Sequence, residues 1–243
     1  MSLSILPLFV LLLFVFSFLQ FRKAKLIGTM SVAEIRGVYL LLSAFLLWVI
    51  VVVYMGIREM HLALMQEIPW LWQAFVPVTI WIAAVLLFGR LRGALAKIAI
   101  YTPLRWFLFL QALRIGALGG VLKGIDGEIT STYVFWIGVP DFLFGVSALL
   151  LGIVSLRRKI GSRFLIAWNL IGFSLIFFPT FGIMLYWMTE PGFEFIFEFP
   201  MILAPAIVVP LFISFNLMHA WALVLREKSI SGAEVSVGRR EAT

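Results

Sequence analysis

Residues 37–57 read GVYLLLSAFLLWVIVVVYMGI, a stretch without one charged side chain. An α-helix rises about 1.5 Å per residue, and about 20 mainly apolar residues are needed to cross roughly 30 Å of hydrocarbon. This stretch therefore predicts a transmembrane helix.

Six other segments have the same character, and the loops between them are short. The sequence predicts an all-α bundle of seven transmembrane helices, forming one membrane domain over residues 1–226 with a short cytoplasmic tail over 227–243. The predicted spans are 4–21, 37–57, 69–89, 103–122, 132–156, 163–188 and 199–225.

The composition of the 243-residue chain agrees with a membrane protein. Hydrophobic residues make up 63% and charged residues 13%, and the mean hydropathy is +1.10. In a soluble domain about half of the residues are apolar and about a quarter are charged. A disordered chain has low hydrophobicity and a high net charge. Both classes are excluded.

The net charge of +7 is explained by topology. With the N-terminus outside and the C-terminus inside, most basic residues fall on the inner side, as the positive-inside rule requires. The pI near 10.1 then indicates no nucleic-acid partner. The inner basic residues are Arg22, Lys23, Lys25, Arg36, Arg90, Arg92, Lys97, Arg105, Arg157, Arg158, Lys159, Arg163, Arg226, Lys228, Arg239 and Arg240.

The first span is expected to be an uncleaved anchor, because basic residues follow it and none precedes it. Neither Asn169 nor Asn216 begins a glycosylation sequon. We expect a prokaryotic inner (plasma) membrane protein.

Two charges lie inside predicted spans, Arg114 in span four and Asp141 in span five. Both lie near the bilayer middle on neighbouring antiparallel helices, and an isolated charge there costs at least about 2.5–3.5 kcal/mol. We expect an ion pair, with Gln111 one turn from Arg114. Asp141 also lies on a stripe of small residues spaced three and four apart, which favours close helix packing. The stripe is Gly138, Asp141, Gly145, Ala148, Gly152 and Ser155.

The ion pair has two interpretations. It is either a buried latch that determines which helices meet, or a ligand or ion site lined by Arg114, Gln111 and Asp141. Prolines in spans five to seven would kink helices, as in transporters that bind substrates at the midplane. The sequence leaves both interpretations open.

A second polar cluster consists of Asn169 in span six with Asn216 and His219 in span seven. It predicts hydrogen bonds between these two spans; a proton relay through His219 is the alternative. Trp48 and Trp81 also lie deep in their spans, where packing explains them.

The predicted outer loops are acidic. Glu190, Glu194 and Glu198 suggest either a solvated rim or a cation site. Residues 193–199 alternate phenylalanine with other residues, which predicts a short extended segment.

The sequence lacks the motifs of known intramembrane enzymes and cofactor-binding membrane proteins. The last span has no Schiff-base lysine, Asp141 is the one aspartate within the spans, and Gly145-Val-Ser147-Ala matches a rhomboid-like motif badly. The chain has no cysteine and two histidines, so metal and haem sites lack ligands. We therefore predict no catalytic residues, metal or cofactor.

The run Gln111-x-x-Arg114 and the pattern Gly138-x-x-Asp141-x-x-x-Gly145 resemble those of uncharacterised multi-pass bacterial inner-membrane proteins. The resemblance covers about spans four to six and implies no activity.

Three functions stay open. The first is transport or binding of a small molecule or ion at Arg114, Gln111 and Asp141. The second is a non-catalytic membrane subunit or sensor that acts through a partner membrane protein or a second copy of the chain. The third, least favoured, is an intramembrane enzyme that acts on lipid. In each case the lipid bilayer is an expected partner.

Overall fold

The computed structural model describes residues 4–67, 72–180, 190 and 192–241. All regular structure in these ranges is helical, with no strand. Five helices are long and apolar enough to cross a membrane, and a bent pair raises the number to six if it counts as one span. The fold is therefore an all-helical, multi-pass arrangement.

The first two predicted spans correspond to helices α1 (Leu6–Leu26) and α2 (Val32–Ile57). A capping box starts α2: the Ser31 hydroxyl accepts a hydrogen bond from the Glu34 amide, and the Glu34 carboxylate accepts one from the Ser31 amide. Such a box satisfies two backbone donors that a helix start leaves unpaired.

The helix of the third predicted span ends earlier than expected, at Leu86, and a sharp bend follows it. A short helix α3 (Met60–Glu67) precedes α4 (Trp72–Leu86), and α5 (Gly89–Tyr101) turns by 101° from α4. The charged segment after residue 89 was expected to be a connection. It is an amphipathic helix instead, which buries one face against the bundle. The buried residues of α5 are Ala94, Leu95, Ile98 and Ala99.

Predicted spans four and five are helices with local irregularities. Helix α6 (Leu104–Ile125) contains a 3₁₀ turn over Leu113–Ala117, and α7 (Ser131–Arg157) contains a π-turn over Val134–Gly138. This π-turn lies just before Pro140. Proline has no N–H to donate, so the helix adjusts its hydrogen bonding at that point.

The chain then forms α8 (Ser162–Phe178) and, after a 3₁₀ turn, a π-turn over Ala204–Val208 that leads into α9 (Val209–Glu241). The last part of predicted span six lies outside the described residues, which omit 181–189. The extended segment expected at 193–199 is wrong, because Phe193–Phe197 is a 3₁₀ helix. Its buried side chains, Phe193, Ile196 and Phe197, follow helical spacing.

The last span lies at the centre of the bundle. Within Ala204–Glu227, 72% of the most apolar window is buried inside the protein, against 17% for α1 and α2. The other helices surround this span and leave apolar faces outward, as a lipid environment requires.

We call the end of the bundle where α1 ends and α2 begins the basic end. It carries the exposed side chains Arg22, Lys23, Lys25, Arg36, Arg90 and Arg92.

Candidate functional sites

Helices α6 and α7 come unusually close at Arg114. A Cβ atom added to Gly145 of α7 would lie 2.4 Å from the Ile115 backbone nitrogen and 2.7 Å from the Arg114 carbonyl carbon. Only glycine permits this approach. The small-residue stripe on α7 thus faces α6, and it places Asp141 against the arginine.

Arg114 is surrounded by partners on three helices. Its Nε donates to Asp141 Oδ1, while Nη1 and Nη2 donate to the Gly172 carbonyl oxygen at 3.4 and 3.3 Å. Nη1 also donates to Gln111 Oε1 at 3.4 Å. The guanidinium lies 4.2 Å from the centre of the Phe144 ring. A buried cation is tolerated when it is paired and hydrogen-bonded in this way.

Gln111 extends this network to the central span. Its Nε2 donates to the Phe212 carbonyl oxygen at 3.2 Å, so Arg114, Asp141, Gln111, Gly172 and Phe212 join the predicted spans four to seven. The structure thus brings together all three residues of the candidate site.

Protein atoms occupy the space around the pair. The Arg114 side chain is 0% exposed and that of Asp141 is 13% exposed. Neither of the two cavities described below is lined by Arg114, Asp141 or Gln111. This packing favours the latch interpretation, and a role in ligand binding stays a prediction.

The second polar cluster is partly connected. Asn169 Nδ2 lies 3.0 Å from His219 Nδ1, which links α8 to α9, and the His219 ring stacks on Phe107 at 4.8 Å between ring centres. Asn216 is fully buried, and neither its Nδ2 nor its Oδ1 has a hydrogen-bond partner in the described part of the chain. The interhelical bond that the sequence predicts therefore forms through Asn169 and His219, without Asn216.

An apolar cavity of about 90 Å³, which the sequence did not indicate, lies between α1, α2, α4, α5, α6 and the central span. Most of its wall is aliphatic or aromatic. Residues lining it are Val10, Phe14, Phe16, Ser17, Gln20, Phe21, Val38, Leu41, Leu42, Phe45, Trp48, Val49, Pro77, Trp81, Leu95, Ile98, Thr102, Phe107, Ile207, Leu211, Ser214, Phe215 and Met218.

Two polar atoms at this cavity lack partners. Gln20 Oε1 and Trp81 Nε1 are buried, and no described group hydrogen-bonds to them. The three hydroxyls in the wall, by contrast, donate to carbonyl oxygens of their own helices: Ser17, Thr102 and Ser214. Packing was expected to explain both deep tryptophans. Trp48 Nε1 does donate to the Ala206 carbonyl oxygen at 2.9 Å, whereas Trp81 is left with an unpaired N–H.

A smaller cavity of about 30 Å³ lies at the other end of the bundle. Tyr133, Thr180 and Ile196 contribute to its wall, and the Thr180 hydroxyl has no partner among the described residues. At 10–15 Å³ per water, this space suits roughly two or three water molecules.

His61, on α3 outside the spans, is fully buried. Its Nε2 lies 3.1 Å from the Val52 carbonyl oxygen, and its Nδ1 lies 3.2 Å from Gln73 Nε2. Burial lowers the pKa of His61, and the hydrogen bond to Val52 opposes this effect. The ring therefore favours the neutral form.

The acidic residues form no metal site that the structure describes. No group of three or more His, Asp or Glu side chains in the described ranges could hold a metal ion. Glu190 instead accepts a hydrogen bond from the Thr132 hydroxyl at 2.7 Å. The cation site considered for Glu190, Glu194 and Glu198 thus has no structural support.

At the basic end, a salt bridge joins two elements. Lys97 Nζ lies 2.7 Å from Glu34 Oε1, and it also donates to the Thr29 carbonyl oxygen at 2.9 Å. These contacts attach α5 to the turn between α1 and α2.

No known protein family matches this chain, and comparisons with curated proteins and with solved structures found no similar protein.

Proposed function

We propose that this chain is an integral protein of a prokaryotic plasma membrane that crosses the bilayer seven times, with its N-terminus outside and its C-terminus inside. Five helices are long and apolar enough to cross the membrane, and in this proposal the shorter helices α4 and α8 supply the other two passages. The basic end, placed in the cytoplasm, agrees with the positive-inside rule.

The protein, in this proposal, binds a lipid-soluble small molecule in the apolar cavity. One observation carries the proposal: an apolar wall surrounds two buried polar atoms, Gln20 Oε1 and Trp81 Nε1, that no described group pairs with. An apolar pocket with a few polar groups is typical of small-molecule sites. A hydrogen-bond donor and an acceptor, supplied by the bound molecule or by water that enters with it, would satisfy both atoms.

The cavity limits the size of the bound part. About 90 Å³ holds roughly six to nine water-sized groups at 10–15 Å³ each. This space suits a segment of an alkyl chain or a small ring better than a whole phospholipid. Burial of each CH₂ group contributes about 0.8 kcal/mol, so a short segment suffices for measurable affinity.

In this proposal, the Arg114–Asp141 pair acts as a latch between helices. Its partners are all supplied by the protein itself, including Gly172 and Gln111. Transport through this pair stays a prediction.

The proposal is tested with a substitution that fills the cavity. In Ser17→Phe, an aromatic ring should occupy the space and exclude a ligand, while Ser43→Phe on the exposed face of α2 is the matched control. The probe is the methyl ester of dibrominated stearate, whose bromine atoms quench tryptophan fluorescence on contact. The purified protein is titrated in detergent micelles.

We expect saturable quenching in the wild type and in Ser43→Phe, because Trp48 and Trp81 line the cavity. Ser17→Phe should show only the linear quenching that comes from probe dissolved in the micelle. Equal saturable quenching in all three proteins, or none in the wild type, would refute the proposal.

A further inference from the structure

The basic end and the cavity share one layer of side chains. Phe21, Val38, Leu95 and Ile98 line the cavity and belong to a compact apolar cluster between α1, α2 and α5. The exposed residues Arg22 and Lys23 follow Phe21 directly in sequence, and the exposed Arg36 precedes Val38 by two residues. A ligand held in the cavity therefore lies close to a surface of positive charge.

The charge of this surface is poorly balanced within the protein. Residues 22–36 and 89–105 contain a single acidic residue, Glu34. Its carboxylate is engaged by Lys97 at 2.7 Å and by the Ser31 amide at 2.7 Å. The six exposed cations of the basic end thus have no carboxylate from these segments to offset them.

The fold holds these cations on one surface. The Lys97–Glu34 salt bridge attaches α5 to the start of α2. Lys25 Nζ lies 3.4 Å from the Tyr39 hydroxyl and 5.5 Å from the centre of its ring, and the Tyr39 ring packs edge-on against Phe21 at 5.0 Å. Lys25 therefore lies over Tyr39, which in turn contacts Phe21 in the cavity wall.

From this juxtaposition we infer that the ligand is an anionic amphiphile, a single alkyl chain with a carboxylate or phosphate head. The chain enters the cavity, and the head contacts the cations around Arg22 and Lys25. This inference rests on the proposed function, because it names the ligand class for the same cavity. Each Lys or Arg side chain near anionic lipid head groups contributes about 1 kcal/mol to the attraction. This free energy corresponds to about fivefold in affinity.

The experiment separates the head from the chain. Stearate and its methyl ester have the same chain, and alkaline pH keeps the carboxylate ionised. Native mass spectrometry of the full protein, released from detergent, counts bound molecules at each concentration. Stearate should bind at least fivefold more tightly than the ester.

Variants then locate the head. In Arg22→Gln/Lys25→Gln, stearate affinity should fall about 25-fold while ester affinity stays the same. The matched control is Arg157→Gln/Arg158→Gln, which removes two exposed cations that lie away from α1, α2 and α5. This control should leave both affinities unchanged.

The outcomes distinguish the two proposals. If the ester and stearate bind equally well, or if both double variants weaken stearate alike, the anionic head is refuted and the apolar cavity stands. If neither probe binds, the proposed function fails as well. A third probe, lysophosphatidate, identifies the source: tighter binding of this lipid indicates a membrane-derived phosphate, and tighter binding of stearate indicates a free fatty acid.

Discussion

Replacement of Asp141 by leucine should destabilise the protein strongly. The Arg114 side chain is 0% exposed, and a guanidinium does not lose its proton in proteins. The variant therefore retains a buried cation without its anion. Removing one partner of a buried ion pair costs about 3–5 kcal/mol, and we expect Asp141→Leu to fall in this range.

Replacement of Arg114 by leucine should act through several smaller effects. Asp141 is 13% exposed, and a carboxylate, unlike a guanidinium, can take up a proton and become neutral. Gln111 Oε1, however, loses its donor, whereas the Gly172 carbonyl oxygen keeps the backbone hydrogen bond of its helix. An unsatisfied buried polar group costs about 1–3 kcal/mol, so a loss of about 3 kcal/mol is expected for Arg114→Leu.

The double variant is the decisive measurement. Once both charges are absent, the one acceptor left without its donor is Gln111 Oε1, and the loss should be about 2 kcal/mol. This is smaller than the loss in either single variant. The coupling free energy between Arg114 and Asp141 is then several kcal/mol, well beyond the roughly 0.3–0.5 kcal/mol within which independent sites add.

Unfolding by sodium dodecyl sulfate in mixed micelles, followed by circular dichroism, gives the free energy of each protein. Ser43→Leu, on an exposed face of α2, controls for the change in hydrophobicity. Additive losses in the double variant would refute the latch, as would single variants that are as stable as the wild type.

Three more predictions concern separate parts of the fold. Gly145→Ala should cost about 1–3 kcal/mol or more, because its Cβ would lie 2.4 Å from the Ile115 backbone nitrogen; Gly119→Ala, which has nothing within 4 Å, should gain about 0.5–1 kcal/mol, and the same micelle assay compares them. For His61, the folded state lowers the pKa, so its contribution to stability is complete above the ordinary value of about 6.5 and is lost as the pH falls below it. Stability measured against pH should therefore decline on acidification, and His61→Gln should decline less; equal slopes would contradict this role. Gln20→Leu should stabilise the ligand-free protein by about 1–3 kcal/mol yet weaken binding of a probe that carries a hydrogen-bond donor. A loss of stability would show that Gln20 Oε1 has a partner.

The third predicted span shows where hydropathy was insufficient. Arg90, Arg92 and Lys97 made the segment after residue 89 look like a connection, since an average over many residues hides a narrow apolar face. The spacing of Ala94, Leu95, Ile98 and Ala99 carries the helical signal, and those four residues are buried. A test for helical periodicity in this segment would have found α5.

The ion pair was accessible to sequence reasoning because two charges in hydrocarbon are costly and rare. Their depth follows from counting residues at about 1.5 Å each, and so few polar groups leave few ways to pair them. The full set of partners was not accessible. Gly172 and Phe212 contribute carbonyl oxygens, and every residue has one, so side-chain identity does not reveal which is used.

The sequence by itself determined that this chain is helical and apolar enough for a membrane. It also indicated Arg114, Asp141 and Gln111 as the residues of a candidate site. These features depend on composition and on spacing along one or two neighbouring helices. Only the tertiary structure decided that the last span is central, that α5 turns by 101°, and that a cavity lies beside Gln20 and Trp81. A cavity is the space that side chains from six separate elements fail to fill, and no local pattern in the chain records that mismatch.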